Sequence, residues 1–221
     1  MITAVPSLLQ FASPGLEPAL MWDPAAIGDG EWWRLGTALV VQDGRAGRAA
    51  GWHHRGMDLE RNVPFDVQAY EARVKSSPCF ICAIVAGDPA YDHEQIVYED
   101  EHHLAFLSRY PTLPGYLLVS PKQHVEHVVR DLDEDAYLAL MRVVRKVALA
   151  VEAVVPSERT YLLSLGSRQG NAHLHWHVAP LPPGTPYEKQ QYHALMSENG
   201  LIPWTRAQAE ELAARVRQAL S

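Results

Sequence analysis

The sequence predicts an α+β fold in which a mostly antiparallel sheet is flanked by helices. Three short strand-like segments follow one another at Gln95–Glu99, His103–Arg109 and Gly115–Pro121, joined by turns rich in Asp, Glu, Pro and Gly. A long helical segment separates them from two further strand candidates, Arg159–Leu165 and His173–Ala179. Strands grouped in this way around a single long helix are typical of the α+β class.

The clearest helix is predicted to begin at Asp131, which forms a capping box with Glu134. Apolar residues then recur every three to four positions until the chain reaches Pro156, which gives the helix one apolar face. Similar spacing predicts two shorter helices, one over residues 64–75 and one over residues 205–220.

Composition and charge exclude several classes of function. The chain has 221 residues, of which 48% are hydrophobic, as expected for a soluble globular protein. Lys and Arg number 19 against 26 for Asp and Glu, so the net charge is −7 and no basic field exists to bind a nucleic-acid backbone. No apolar run approaches the roughly 20 residues needed to span a bilayer. No basic residue precedes Arg34, which argues against a secretory signal, and a cytoplasmic location is expected.

Three regions are expected along the chain. Residues 1–75 form an N-terminal extension that carries four of the six tryptophans, a density that argues against a disordered tail. Residues 76–185 contain the predicted sheet and its long helix. Residues 186–221 are expected to form a helical segment that packs on that domain.

The segment from His173 to Ala179 alternates strictly between histidine and apolar residues. On a strand this alternation places His173, His175 and His177 on one face, about 6.5–7 Å apart, and the apolar residues on the core side. Pro180 and the prolines after it are expected to end the strand. A neutral imidazole is a good nucleophile near pH 7, and a His-x-His pair can alternatively hold a catalytic metal with an open position.

Three sequence motifs resemble those of the histidine triad (HIT) superfamily of nucleotide hydrolases and transferases. The segment His173–Ala179 resembles its alternating histidine signature. Cys79-Phe-Ile-Cys82 resembles the Cys-x-x-Cys pair of zinc-bearing members, and Pro121-Lys-Gln-His124 resembles a Pro-Lys-x-His that follows a central strand. The resemblance covers about residues 76–182 and implies a HIT-like fold, a nucleotide substrate and a homodimer.

The resemblance implies that His175 is the nucleophile, which attacks an α-phosphorus and forms a nucleotidyl-histidine intermediate. It also implies that a backbone carbonyl holds the other ring nitrogen. His177 lies where its N–H could bind a phosphate oxygen or the leaving oxygen. Gln169 matches the family's phosphate-contacting residue best, although Gly170 stands where serine is frequent in common members. The remaining candidates in the same turn are Arg168, Gly170 and Asn171.

Two cysteines and two histidines, Cys79, Cys82, His124 and His173, form a candidate structural zinc site. Thiolate and imidazole are preferred zinc ligands, and four protein ligands make a closed site. Two other functions stay open, a hydrolase with a catalytic metal and a non-catalytic nucleotide-binding protein, as do the leaving group and the acceptor. Alternatives to His124 as a ligand are His102, His103 and His127.

Overall fold

A computed structural model describes residues 62–92, 94–167 and 170–221. The predicted extension is therefore described only from residue 62 onward, and its tryptophans lie outside the described residues. Arg168 and Gln169 also lie outside them.

The described chain contains five helices and five strands, with three short 3₁₀ turns at Pro89–Tyr91, Tyr187–Lys189 and Ser197–Asn199. The helices are α1 (Val67–Ser76), α2 (Phe80–Val85), α3 (Glu134–Val154), α4 (Tyr192–Leu195) and α5 (Arg206–Leu220). The strands are β1 (Ile96–Glu99), β2 (His103–Leu107), β3 (Leu117–Pro121), β4 (Arg159–Ser164) and β5 (Trp176–Leu181). They form one antiparallel sheet in the order β1-β2-β3-β5-β4, which confirms the predicted α+β class.

Strand β5 lies inside the sheet, between β3 and β4. His177 is opposite Leu118 of β3 on one side and Leu163 of β4 on the other. The histidine-bearing segment therefore leads into a strand that is hydrogen-bonded on both sides.

Both faces of the central strands are covered, so β2 and β3 are buried at every position. Ala105 and Leu107 belong to the apolar cluster formed with α3 and α5, whereas Leu104 and Phe106 belong to a second cluster that includes α2. This two-sided burial explains why these strands are nearly continuous apolar runs in the sequence.

The long helix begins two residues later than predicted. Its N-cap is Asp133, whose carboxylate accepts a hydrogen bond from the Ala136 N–H at 2.8 Å. The Asp131 carboxylate instead accepts from the N–H groups of Glu126 and His127 in the preceding turn. Both aspartates are preferred N-cap residues. Because the preceding turn uses the carboxylate of Asp131, Asp133 becomes the N-cap.

The last strand is displaced from the predicted His173–Ala179 to Trp176–Leu181. His173 and His175 therefore precede the strand, and Pro180 lies within it rather than ending it. Pairing with β3 stops at Val178, so Pro180 has a partner, Thr160, only on the β4 side. Proline is tolerated where one side of a strand needs no N–H donor.

Candidate active site and metal centre

Two cysteines and two histidines converge where α2 meets the approach to β5. Cys79 is the N-cap of α2 and Cys82 lies in its first turn. His124 follows β3, and His173 precedes β5. One ligand atom from each of the four lies within 4.8 Å of the others.

Three of the distances within this cluster, whose ligand atoms all lie within 4.8 Å of one another, are close to those around a tetrahedral zinc ion. Bond lengths of about 2.3 Å to sulfur and about 2.05 Å to nitrogen place neighbouring ligand atoms about 3.3–3.8 Å apart. The Cys82 Sγ lies 3.2 Å from the His124 Nδ1 and 3.5 Å from the His173 Nδ1. The Cys79 Sγ lies 3.4 Å from the same His173 Nδ1. These separations leave room for one small cation bound by two sulfurs and two nitrogens.

The ring of His173 is held by its other nitrogen. Nε2 lies 2.9 Å from the Pro121 carbonyl, and because a carbonyl only accepts, Nε2 carries the proton. The lone pair of Nδ1 is thereby directed at the two sulfurs, an orientation that suits a metal ligand.

The pKa of the Cys82 thiol indicates that this cluster is suited to a positive charge. Burial and the neighbouring Cys79 raise the pKa of Cys82 to about 11. A coordinated cation would reverse this effect, since metal-bound thiols ionise. The Cys82 thiol remains protonated at neutral pH without a positive charge beside it, so the chemistry of this cluster fits a divalent metal.

The competing histidines do not join this cluster in the part of the chain that the structure describes. His103 is buried, and its Nδ1 lies 3.1 Å from both oxygens of Asp100. His127 contacts Arg130, and His102 is exposed. The geometry therefore selects His124.

His175 is held by the backbone of the residue two positions before it. Its Nδ1 lies 2.7 Å from the His173 carbonyl, so Nδ1 carries the proton and Nε2 carries the lone pair. Burial lowers the pKa of His175, and the hydrogen bond to the His173 carbonyl opposes that shift without reversing it. The ring is therefore neutral at pH 7, with an unprotonated nitrogen.

The backbone that carries these rings is fixed although it precedes β5. The Leu174 N–H donates to the Val125 carbonyl at 2.7 Å. The hydroxyl of Ser120 donates to the Leu174 carbonyl, and the hydroxyl of Ser164 donates to the His175 carbonyl. These bonds take the place of strand pairing, so His175 sits on a rigid support.

His177 lies beside His175, with ring centroids 4.8 Å apart, and its Nδ1 is 3.1 Å from the hydroxyl of Tyr116. Burial lowers the pKa of His177 to about 3, and the proximity of His175 adds to the shift. Its Nε2 is buried and has no hydrogen-bond partner among the described residues. The backbone of Leu165 opposes the pKa shift without reversing it, so His177 is a neutral ring in the wall of the cleft.

The evenly spaced row of three imidazoles predicted from the sequence is wrong. The ring of His173 turns toward His124, 4.7 Å away, while His175 and His177 pair with each other. The reason is that strand geometry begins only at Trp176. His173 therefore joins the cysteines, although it lines the same cleft as His175 and His177.

This cleft has a volume of about 610 Å³, within the range of small-molecule sites. His175 and His177 lie in its wall beside the rings of Phe80 and Phe106, whose centroids are 6.2 Å apart. The apolar rings give one part of the cleft the character of a pocket for a planar group.

Helix α1 closes another part of the cleft by contacting the turn that leads to the histidines. Asn171 has a positive φ of 54°, and its side-chain N–H donates to the Tyr70 hydroxyl at 2.7 Å. A Cβ on Gly170 would lie 2.4 Å from a methyl of Val74. The predicted roles of Gly170 and Asn171 toward substrate remain predictions, and what the structure adds is their packing on α1.

Alternating histidines at the start of a central antiparallel strand define the histidine triad class of proteins. The family model of the HIT domain matches residues 91–183. An uncharacterised HIT-like protein of Saccharolobus solfataricus is 34% identical over 105 residues, 46% of this chain and 73% of that protein. Protein hit of Bacillus subtilis is 37% identical over 106 residues, 47% of this chain and 70% of its own length. The chain belongs to the HIT family.

Two solved structures share the fold. A hypothetical histidine triad nucleotide-binding protein from Sulfolobus tokodaii is 28% identical, with a TM-score of 0.52 over 64% of this chain and 91% of that one. A zinc-bound histidine triad protein from Mycobacterium smegmatis is 26% identical, with a TM-score of 0.51 over 64% of this chain and 92% of that one. Within the described ranges, no helix combines the length and apolar character required to span a bilayer.

Proposed function

We propose that the protein binds a nucleoside phosphate derivative in this cleft and cleaves it at the α-phosphorus through a nucleotidyl-His175 intermediate. The observation that carries the proposal is the 2.7 Å hydrogen bond from the His175 Nδ1–H to the His173 carbonyl. It fixes the tautomer in which Nε2 is a neutral nucleophile, so no separate base is needed.

The reaction has two displacements. Nε2 of His175 forms a bond to the α-phosphorus, and the bond to the leaving group breaks with the electron pair departing on that group. Water or another acceptor then attacks the phosphorus, the nitrogen–phosphorus bond breaks, and Nε2 recovers its lone pair. A proton from the acceptor passes to solvent or to the released phosphate, and the histidine is regenerated.

His177 supplies a hydrogen-bond donor in this scheme. Burial raises the pKa of Tyr116 to about 12, so its hydroxyl keeps its proton, and in this proposal it donates a hydrogen bond to Nδ1 of His177, 3.1 Å away. The proton of His177 is then on Nε2, where a phosphate oxygen of the substrate would accept it. Because the ring is neutral, it orients the phosphate without neutralising its charge.

The cysteine–histidine cluster has a structural role in this proposal. Zinc held by the four side chains would anchor His173, whose carbonyl in turn holds His175. A catalytic metal on His173 and His175 together is disfavoured, because the Nδ1 of His175 is already bonded to a carbonyl while that of His173 faces the sulfurs.

A homodimer is also part of the proposal. Strand β4 is at one edge of the described sheet and exposes 46% of Leu162. An apolar edge of this kind suits a second copy of the chain. Sedimentation equilibrium of the full chain would give twice the monomer mass.

Intact-protein mass spectrometry tests the intermediate. The full-length protein is mixed for milliseconds with a panel of nucleoside phosphate derivatives and quenched in a denaturant that preserves phosphohistidine. We expect the mass of one nucleotidyl group to be added in the wild type and in His127→Ala, and not in His175→Ala. His127 is a matched control, because it does not line this cleft.

Two results would contradict the proposal. An adduct that persists in His175→Ala would move the nucleophile elsewhere. Tight nucleotide binding without an adduct or turnover for any member of the panel would leave a binding protein only.

A further inference from the structure

The wall of the cleft formed by α1 lies outside the region that the HIT domain model matches, which begins at residue 91. Phe65, just before α1, and Tyr70 on it pack with Tyr110, which lies inside the matched region, with ring centroids 5.2–5.3 Å apart. All three side chains line the same cleft as His175. Phe65, Tyr70 and Arg73 therefore add to the cleft from outside the matched region and pack on Tyr110 within it.

Arg73 is held on this aromatic group. Its guanidinium carbon lies 5.5 Å from the ring centroid of Tyr70 and 5.6 Å from that of Tyr110, and it donates to the Tyr110 hydroxyl at 2.6 Å. A guanidinium stacked on aromatic rings keeps its charge and its remaining donors while losing conformational freedom. Arg73 is thus oriented before any ligand arrives.

The charge of Arg73 is not neutralised by any residue that the structure describes. The other two cations of the cleft wall each have a carboxylate nearby: Lys75 is paired with Glu71, and Arg109 lies 3.9 Å from Glu94. No ion pair involves Arg73 within the described ranges, where its polar contact is the tyrosine hydroxyl. An arginine that is ordered but without a carboxylate is suited to an anionic ligand.

The position of Arg73 is tied to the histidines through Tyr70. The Tyr70 hydroxyl accepts from Asn171, and Asn171 precedes His175 by four residues, a distance of at most about 14 Å even for a fully extended chain. Tyr70 and Arg73 are three residues apart on α1 and are therefore neighbours on one helix face. The guanidinium thus lines the same cleft as His175 and is connected to the turn before it through Tyr70 and Asn171.

We propose that Arg73 determines specificity by binding the negative charge of the leaving group. This inference rests on the proposed function. In this arrangement the nucleoside lies against the ring of Phe80, 6.2 Å from that of His175, and the group that departs from His175 lies toward the α1 wall. The preferred substrates are then nucleotides whose α-phosphate is linked to further phosphates. Derivatives with an uncharged leaving group, such as phosphoramidates, are the poorer class.

The test compares two substrates that share one nucleoside. A dinucleoside tetraphosphate has an anionic leaving group, whereas a nucleoside 5′-phosphoramidate releases an amine. We expect Arg73→Gln to lower kcat/KM for the tetraphosphate about 10- to 100-fold, the usual range for loss of a charged hydrogen bond. For the phosphoramidate we expect kcat/KM to change less than about 2-fold, because its leaving group carries no negative charge for Arg73 to bind.

Two further variants separate charge from structure. Arg73→Lys keeps the charge and loses the planar fork, so we expect it to recover part of the preference. Arg145→Gln removes an exposed charge on α3, outside the cleft, so the ratio of kcat/KM between the two substrates should not change. An equal loss on both substrates in Arg73→Gln would make Arg73 a support for α1 and overturn the inference.

An equilibrium measurement keeps this inference separate from the proposed function. Titration calorimetry of His175→Ala with a nucleoside triphosphate and the matching monophosphate needs no turnover. We expect Arg73→Gln, made in that background, to weaken triphosphate binding at least about 10-fold more than monophosphate binding. If Arg73→Gln leaves the ratio of triphosphate to monophosphate affinity unchanged, the role of Arg73 is refuted, whether or not the adduct at His175 forms. If that affinity ratio changes but no nucleotidyl adduct forms in the wild type, only the proposed chemistry at His175 is refuted.

Discussion

Gly170, in the turn that leads to the histidines, lies directly against Val74 of α1. In Gly170→Ala the new Cβ would lie 2.4 Å from the Val74 Cγ1, more than 1 Å inside an ordinary carbon–carbon contact. The Val74 side chain cannot avoid the clash by changing rotamer at low cost, because one χ1 rotamer of valine dominates on a helix. We expect Gly170→Ala to destabilise the protein by about 1–3 kcal/mol, the usual cost of overpacking.

The clash predicts that Val74→Ala rescues the substitution. With the valine methyls gone, the alanine at position 170 has room, and the loss of backbone freedom in the unfolded chain makes it neutral or stabilising by up to about 1 kcal/mol. Thermal and urea unfolding of the wild type, the two single variants and the double variant give the coupling energy. It should favour the double variant by at least about 1 kcal/mol, because residues in direct contact are not additive.

Gly87 provides a matched control. Its φ is +71°, and a Cβ there meets no atom within 4 Å, so Gly87→Ala introduces backbone strain without a clash. Its cost should be the same with Val74 or Ala at position 74, within about 0.5 kcal/mol. The packing of α1 on this turn is refuted if Val74→Ala rescues neither the stability nor the nucleotide affinity of Gly170→Ala, or rescues Gly87→Ala equally.

Two further predictions concern protons and metal. The pKa of His177 is lowered to about 3, so below pH 6.5 the unfolded chain takes up a proton that the folded protein does not, and stability falls as pH falls. Between pH 7.5 and 5.0 the wild type should lose about 2 kcal/mol more than His177→Gln in urea unfolding, and equal losses would contradict the burial of a neutral ring. Chelation of the purified protein should release about one zinc ion per chain and lower Tm in the wild type, but not in Cys79→Ser/Cys82→Ser, which should have the low Tm already. An unchanged wild-type Tm after the metal is removed would exclude a structural role for the cluster.

The elements with the strongest periodicity were predictable from the sequence, and those that depend on tertiary contacts were not. Helix α3 has an apolar face that is visible in the sequence alone. Helix α2 is six apolar residues without a polar face, and it forms where Ile81 and Ile84 pack on the second core cluster. The limits of β5 depend on pairing with β3 and β4, which the local sequence does not encode.

In the candidate site, too, features set by the local sequence were predictable and those set by tertiary contacts were not. The convergence of two thiols and two imidazoles in one cluster could be predicted, because these side chains have few other reasons to occur in that pattern. The orientation of His173 could not, because it depends on the carbonyl of Pro121, 52 residues earlier in the chain. The contribution of α1 was missed for a similar reason, since the bond between Tyr70 and Asn171 joins residues 101 positions apart. The signal available was two aromatic residues, Phe65 and Tyr70, just before the cysteine pair.

His173 connects the two halves of the site through three of its atoms. Its Nδ1 faces the cysteines, its Nε2 is bound to the Pro121 carbonyl, and its own carbonyl holds the ring of His175. Rotation of the His173 side chain therefore does not by itself release His175, because the latter is bound to backbone. A backbone shift would release it, and the backbone here is fixed by the flanking bonds from Ser120 and Leu174. A metal held by the cluster would thus act on His175 through the position of the His173 peptide, so a ligand substitution that leaves this peptide in place should lower Tm more than it lowers the rate of nucleotidyl transfer.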